Sequence, residues 1–151
     1  MPSRGLTPVV GVVCLLAVTV LLAVTVGATA SIDPPAEPTV AAFELTVDST
    51  GELRVIHLSG DAIDPDDLSV RVRVDGESLD EQPPVPFFSE RGFESAPTGA
   101  FNSATTGRWR AGETASLRVA ETNRPTIEAG DTVTVRLVEN DTVIATLDAT
   151  A

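Results

Sequence analysis

From Leu6 to Ala30 the chain reads LTPVVGVVCLLAVTVLLAVTVGATA, without a single charged residue. A helix of that length spans about 37 Å at about 1.5 Å per residue, and a bilayer's hydrocarbon core needs only about 20 apolar residues. Valine is a middling helix former in water. In lipid, however, the backbone must satisfy its own hydrogen bonds, so the run is expected to be one helix. Gly11, Ala17, Ala23 and Gly27 are small enough to let other helices approach, and Ala23 and Gly27 have small-xxx-small spacing. Whatever else this chain does, it has to cover that helix with lipid or with protein.

The following stretch cannot prolong it. Ser31-Ile32-Asp33-Pro34-Pro35-Ala36-Glu37-Pro38 carries three prolines and reads, with Thr39 and Val40, as a stiff extended linker over 31–40. From 41 to 151 apolar and polar residues alternate with a period near two. The expected strands are Ala42–Asp48, Glu52–Leu58, Leu68–Asp75, Ser116–Ala120, Thr132–Val138 and Thr142–Leu147. In the clearest of them Val70, Val72 and Val74 share one face, and Arg71 and Arg73 the other. Thr50-Gly51 supplies turn chemistry between the first two, and Glu139-Asn140-Asp141 joins the last two as a short hairpin. The fold class expected is an N-terminal hydrophobic α-helix followed by an all-β, immunoglobulin-like antiparallel sandwich of about six to eight strands. Residues 83–108 break the pattern, and hold Phe87, Phe88, Phe93 and Phe101, four of the five phenylalanines. They read as a long loop whose aromatics pack over one end of the sandwich, or as a surface for neighbouring subunits or adhesion.

Charge narrows the partners. The net charge is −12, from 22 Asp and Glu against 10 cations, every one of them arginine. That balance argues against nucleic acid and anionic headgroups as partners of the β-domain. Acidic, lysine-free chains resemble proteins of extremely halophilic archaea. The single cysteine, Cys14, lies in the apolar run, so no intrachain disulfide supports the β-domain.

Little here points to catalysis. His57 is the only histidine, without a second His or a Cys to share a metal, and is expected to make a structural hydrogen bond. Asp61, Asp64, Asp66 and Asp67 form an oxygen-rich segment of the sort that holds calcium, but the spacing matches no EF-hand and a solvated loop is the default. There is no phosphate loop and no nucleophile–base pair, and one histidine removes most acid–base schemes. The expectation is a non-enzyme without cofactors. Trp109 reads as a core anchor. Asn140-Asp141-Thr142 is the only N-x-T sequon, making Asn140 a candidate for N-glycosylation if the domain lies outside the cell.

The N-terminal run admits several readings. It suits a plain membrane anchor, with Arg4 on the cytoplasmic side. Ala28-Thr29-Ala30 fits a signal-peptidase pattern, although the apolar stretch is longer than the 7 to 15 or so residues usual in a signal peptide. Lipidation at Cys14 fits poorly, because Val13 stands where a small residue is expected. A further reading comes from resemblance. Ser3-Arg4-Gly5-Leu6-Thr7-Pro8-Val9-Val10-Gly11 resembles the start of haloarchaeal type IV pilins. In that family a short basic leader precedes a Ser/Thr-Pro-Val-Ile/Val-Gly helix start, and a prepilin peptidase cuts after the glycine.

The resemblance implies a leader over 1–5, cleavage between Gly5 and Leu6, and a transmembrane and assembly helix over 6–30 that starts with Thr7, Pro8 and Gly11. Val10 stands where bacterial type IV pilins carry glutamate, which the archaeal pattern does not require. The segments His57-Leu58-Ser59-Gly60-Asp61 and Ala129-Gly130-Asp131-Thr132 are similar to patches of haloarchaeal pilin-like outer domains. The implied function is a subunit of an archaeal type IV pilus-like surface filament serving surface or cell adhesion. Its partners would be the membrane through Leu6–Ala30, other pilin subunits and the prepilin peptidase, with no nucleic acid. The alternative is a secreted or membrane-anchored β-sandwich binding module that forms no filament.

Overall fold

The computed structural model describes residues 6–29 and 37–151, with the helix's side chains described over 8–23. The leader expected at 1–5 and most of the proline-rich linker lie outside the described residues. Contacts divide the chain into two units, the first holding the helix and the second running Pro38–Ala151.

Helix α1 (Leu6–Thr29) is uninterrupted. Pro8 sits in its first turn, where a missing N–H leaves no hydrogen bond unmade. The Thr19 hydroxyl donates to the Leu15 carbonyl at 2.6 Å, hiding a polar group against the backbone. Within this chain every side chain over 8–23 is exposed. Among the described residues, no helix is long and apolar enough to cross a membrane.

The second unit is a two-sheet antiparallel sandwich. Its strands are β1 (Ala41–Val47), β2 (Glu52–Gly60), β3 (Leu68–Val74), β4 (Glu77–Ser78), β5 (Thr114–Arg118), β6 (Thr132–Glu139) and β7 (Thr142–Thr150). One sheet has the order β1-β2-β5 and the other β4-β3-β6-β7. Alternation decides which residues face inward. Phe43 and Leu45 of β1, Leu53 and Val55 of β2, and Ala115 and Leu117 of β5 bury one inner face; Leu68, Val70, Val72 and Val74 of β3 and Val133, Val135 and Leu137 of β6 bury the other. Short 3-10 turns at Pro65–Asp67 and Gly99–Phe101 complete the unit.

Trp109 links strands to loops at the core. It is 1% exposed, and its ring lies 5.2 Å from Phe43 and 5.6 Å from Phe101, edge-on to the latter. Its backbone exchanges two hydrogen bonds with Ile63, at 2.7 and 2.9 Å, and its indole N–H donates to the Glu113 carbonyl at 3.2 Å. The expected core role is therefore what the structure gives.

The 83–108 segment differs from expectation. It runs beside the outer edge of β5 rather than capping one end of the sandwich: Thr98 bridges Ser116 and Phe93 bridges Val119. Covering that edge leaves fewer backbone groups free to pair with another chain. Gly99 makes the approach feasible, since a Cβ there would come within 2.2 Å of the Thr114 carbonyl oxygen. Phe87, Phe93 and Phe101 turn inward, and Phe88 alone stays out, at 56% exposure. Asn123 clasps the segment to its neighbours. It is buried, accepts from the Glu81 and Arg124 amides and donates to the Glu81 and Gly92 carbonyls.

The β1–β2 turn is held by Asp48, whose carboxylate accepts from the Thr50 hydroxyl and from the Thr50 and Glu52 amides. Chiefly the Thr50 hydroxyl, with the Glu52 and Thr50 amides and the Arg118 charge, holds the acid below its ordinary pKa, against burial, which raises it and ranks second only to that hydroxyl. A pKa lowered on folding adds stability that is complete above the unfolded pKa, about 3.9, and is lost as pH falls through the folded value. Asp48→Asn is thus expected to be less stable than wild type at pH 7, with the difference closing below about pH 4; denaturant midpoints across pH measure it. Trp109→Ala should cost about 3–5 kcal/mol in the same assay, through the cavity it leaves.

Candidate functional site

The residues singled out by the sequence fall in separate places. Gly5 lies outside the described residues. Leu6, Thr7, Pro8 and Gly11 occupy the start of α1, and no heavy atom approaches within 4 Å of a Cβ built on Gly11. The space beside Gly11 is therefore open among the described residues.

Asn140 sits with Asp141 in the two-residue turn between β6 and β7, and both are exposed. Their φ angles of 46° and 65° are left-handed, as a tight hairpin of this type demands. Asn and Asp tolerate that conformation better than most side-chain-bearing residues. The sequon is thus accessible at a hairpin tip, with Thr142 opening β7.

The aspartate segment is not assembled as a metal site. Asp61 accepts from the Val40 amide at 3.0 Å, and Asp64 caps the 3-10 turn by accepting from the Asp66 amide at 3.1 Å. Among the described residues, no three His, Cys, Asp or Glu side chains are grouped to hold a metal. Asp66 and Asp67 are exposed and, among the described residues, make no ion pair or side-chain hydrogen bond.

His57 corrects an expectation. It is fully buried and neither ring nitrogen has a hydrogen-bond partner. Instead its ring stacks on Phe43 at 4.9 Å and meets Trp109 edge-on at 5.6 Å. Strand parity explains this, because His57 follows Leu53 and Val55 on the inward face of β2 and pairs directly with Phe43 of β1. Leu58 faces outward by the same parity, and it is the extra residue of a bulge in β2 opposite Ala42 and Phe43. No proton acceptor stands beside the imidazole, so it has the surroundings of a packing residue and not of a general base.

Sequence reasoning did not single out the outer face of β3 and β6. There Arg71, Arg73 and Arg136, with Thr134, Ser78 and Gln82, line a concavity of about 360 Å³. Gln82 shapes its rim: the side chain accepts from the Val72 amide and donates to the Val72 and Leu79 carbonyls, standing in for a strand partner where β4 ends. The outward arginines of β3 were visible as a pattern, but the register that sets Arg136 beside them was not.

In comparison with known proteins, the chain matches no family model and no curated sequence.

An imidazole buried without partners costs stability, typically about 1–3 kcal/mol per unsatisfied polar group, while its ring contacts return about 0.5–1.5 kcal/mol. His57→Leu should therefore unfold at the wild-type denaturant concentration or above it. A loss of more than about 2 kcal/mol would show that the imidazole finds a hydrogen bond in solution.

Proposed function

We propose that this chain is a subunit of an archaeal type IV pilus-like surface filament, made with a leader over residues 1–5, cut between Gly5 and Leu6, and assembled through the helix that follows. The observation that carries the reading is α1 itself. It is one uninterrupted apolar helix over Leu6–Thr29, and its side chains over 8–23 are exposed. A helix apolar on all sides belongs inside lipid or inside a bundle of other helices. A filament subunit needs both environments in turn, lipid before assembly and copies of the same helix afterwards. The full Leu6–Ala30 run is long enough to span a bilayer, and its small residues permit close helix packing.

The second unit supports the same reading from the other side. It holds its own core, so it can stand outside the membrane without help from the helix. Its sheets, β1-β2-β5 and β4-β3-β6-β7, have the third strand crossing to the second sheet and the fifth returning to the first, which supports an immunoglobulin-like reading of the sandwich. Its acidic surface favours solubility, and Asn140 offers a glycan acceptor on an exposed tip. In this reading the sandwich is the filament's outer surface and its adhesive part, it has no catalytic role, and it needs no cofactor.

The test is a leader variant in the producing cell. Gly5→Val should block removal of residues 1–5, leave the chain in the membrane fraction and abolish its surface filaments in electron micrographs. Normal release of the sandwich from that variant would favour a secreted binding module instead.

A further inference from the structure

We propose that the arginine-lined concavity on the outer face of β3 and β6 receives the acidic Asp66-Asp67 turn of a second copy of this chain. The contact deepens the filament reading and takes its biological setting from it.

Arg71 and Arg136 are directly opposite in the β3–β6 register, and Arg73 lies two residues along the same face. Like charges placed opposite one another across a sheet repel. Among the described residues none of the three makes an ion pair, since the ion pairs there engage Arg54, Arg91 and Arg118 instead. Asp148, opposite Thr134 on β7, accepts a hydrogen bond from the Thr134 hydroxyl. With 22 acids available, a chain of net charge −12 nevertheless leaves three of its ten cations gathered and unpaired. Such an arrangement has the chemistry of a carboxylate receptor, because guanidinium forks bind carboxylates through paired, charge-assisted hydrogen bonds.

The complementary feature is on the same molecule. Asp66 and Asp67 project from a 3-10 turn begun by Pro65 and capped by Asp64, which fixes two adjacent carboxylates that have no internal partner. A protruding acidic turn and an arginine-lined hollow are different surfaces, so their union is head-to-tail. Contacts of that kind repeat into rings or open helical arrays, the symmetry a filament requires.

Self-association of the full-length chain in detergent, measured by sedimentation, tests the contact through charge reversal. Arg71→Glu with Arg136→Glu is expected to weaken association roughly tenfold or more, since like-charge contacts at an interface cost several kcal/mol. Asp66→Arg with Asp67→Arg should do the same, and the four changes together should restore it. If the glutamates prevent folding, as circular dichroism would reveal, Arg71→Gln with Arg136→Gln must still weaken association. Wild-type association in both charge-reversed pairs, or no restoration in the combined variant, overturns the proposal. So does a concavity variant that loses binding to a polyuronate while still self-associating. Filaments that form normally from chains with a reversed concavity would overturn this contact and leave the filament reading intact. Chains that are never cut at Gly5 would instead overturn that reading, whatever sedimentation gives.

Discussion

The sandwich depends on one packing arrangement, the meeting of Phe43, His57, Trp109 and Phe101. Phe43 and His57 are cross-strand partners on β1 and β2, and Trp109 arrives from the loop before β5 while Phe101 comes from the irregular segment ahead of it. Four rings from three parts of the chain thereby fix where the long connection lies against the first sheet. The only cysteine lies in the helix, so no internal disulfide can do this work. Packing has to supply what cross-links supply in many secreted domains of this size. The unpartnered imidazole is the cost of using a histidine as a ring in that cluster.

The helix obeys a different constraint. An apolar surface on every side has no stable place in water, whereas the sandwich surrounds its own core and is acidic outside. In the filament reading the two units therefore meet different solvents, and the chain joins them. In the filament reading, copies of the helix replace lipid as the cover, and contacts between sandwiches set spacing and direction. The arginine concavity and the Asp66-Asp67 turn would serve the second task.

How much of this was legible in the sequence follows from which interactions are local. The alternation in Leu68–Val74 placed Val70, Val72 and Val74 inside and Arg71 and Arg73 outside, because side-chain direction in a strand depends on parity alone. The same parity put His57 inside; its lack of any hydrogen bond depended on Phe43 and Trp109, one contributed by a partner strand and the other by a distant loop. The turn at Asn140-Asp141 was readable as the short connection Glu139-Asn140-Asp141 between two alternating runs, one residue longer than the turn itself because β6 continues through Glu139. β4 was missed, being two residues long, with the Gln82 side chain standing in beyond its end. The 83–108 segment misled for a similar reason: its course depends on Asn123 and on the Thr98–Ser116 bridge, neither of which leaves a periodic trace. Asn123 belongs to no sequence motif, yet its side chain bonds the backbone at Glu81, Gly92 and Arg124. Register was also out of reach, since it is set between strands far apart in the chain, and it is register that sets Arg136 opposite Arg71.

The central claim is that the apolar helix is kept, freed of its leader, and used for assembly. The intact mass of the mature chain, isolated from its producing cell, tests this most directly. A chain beginning at Leu6 is the result the account predicts, since only removal of residues 1–5 leaves the helix as the first element of an assembling subunit. A chain beginning at Ser31 would contradict it, because the helix would have been discarded and the sandwich would act alone.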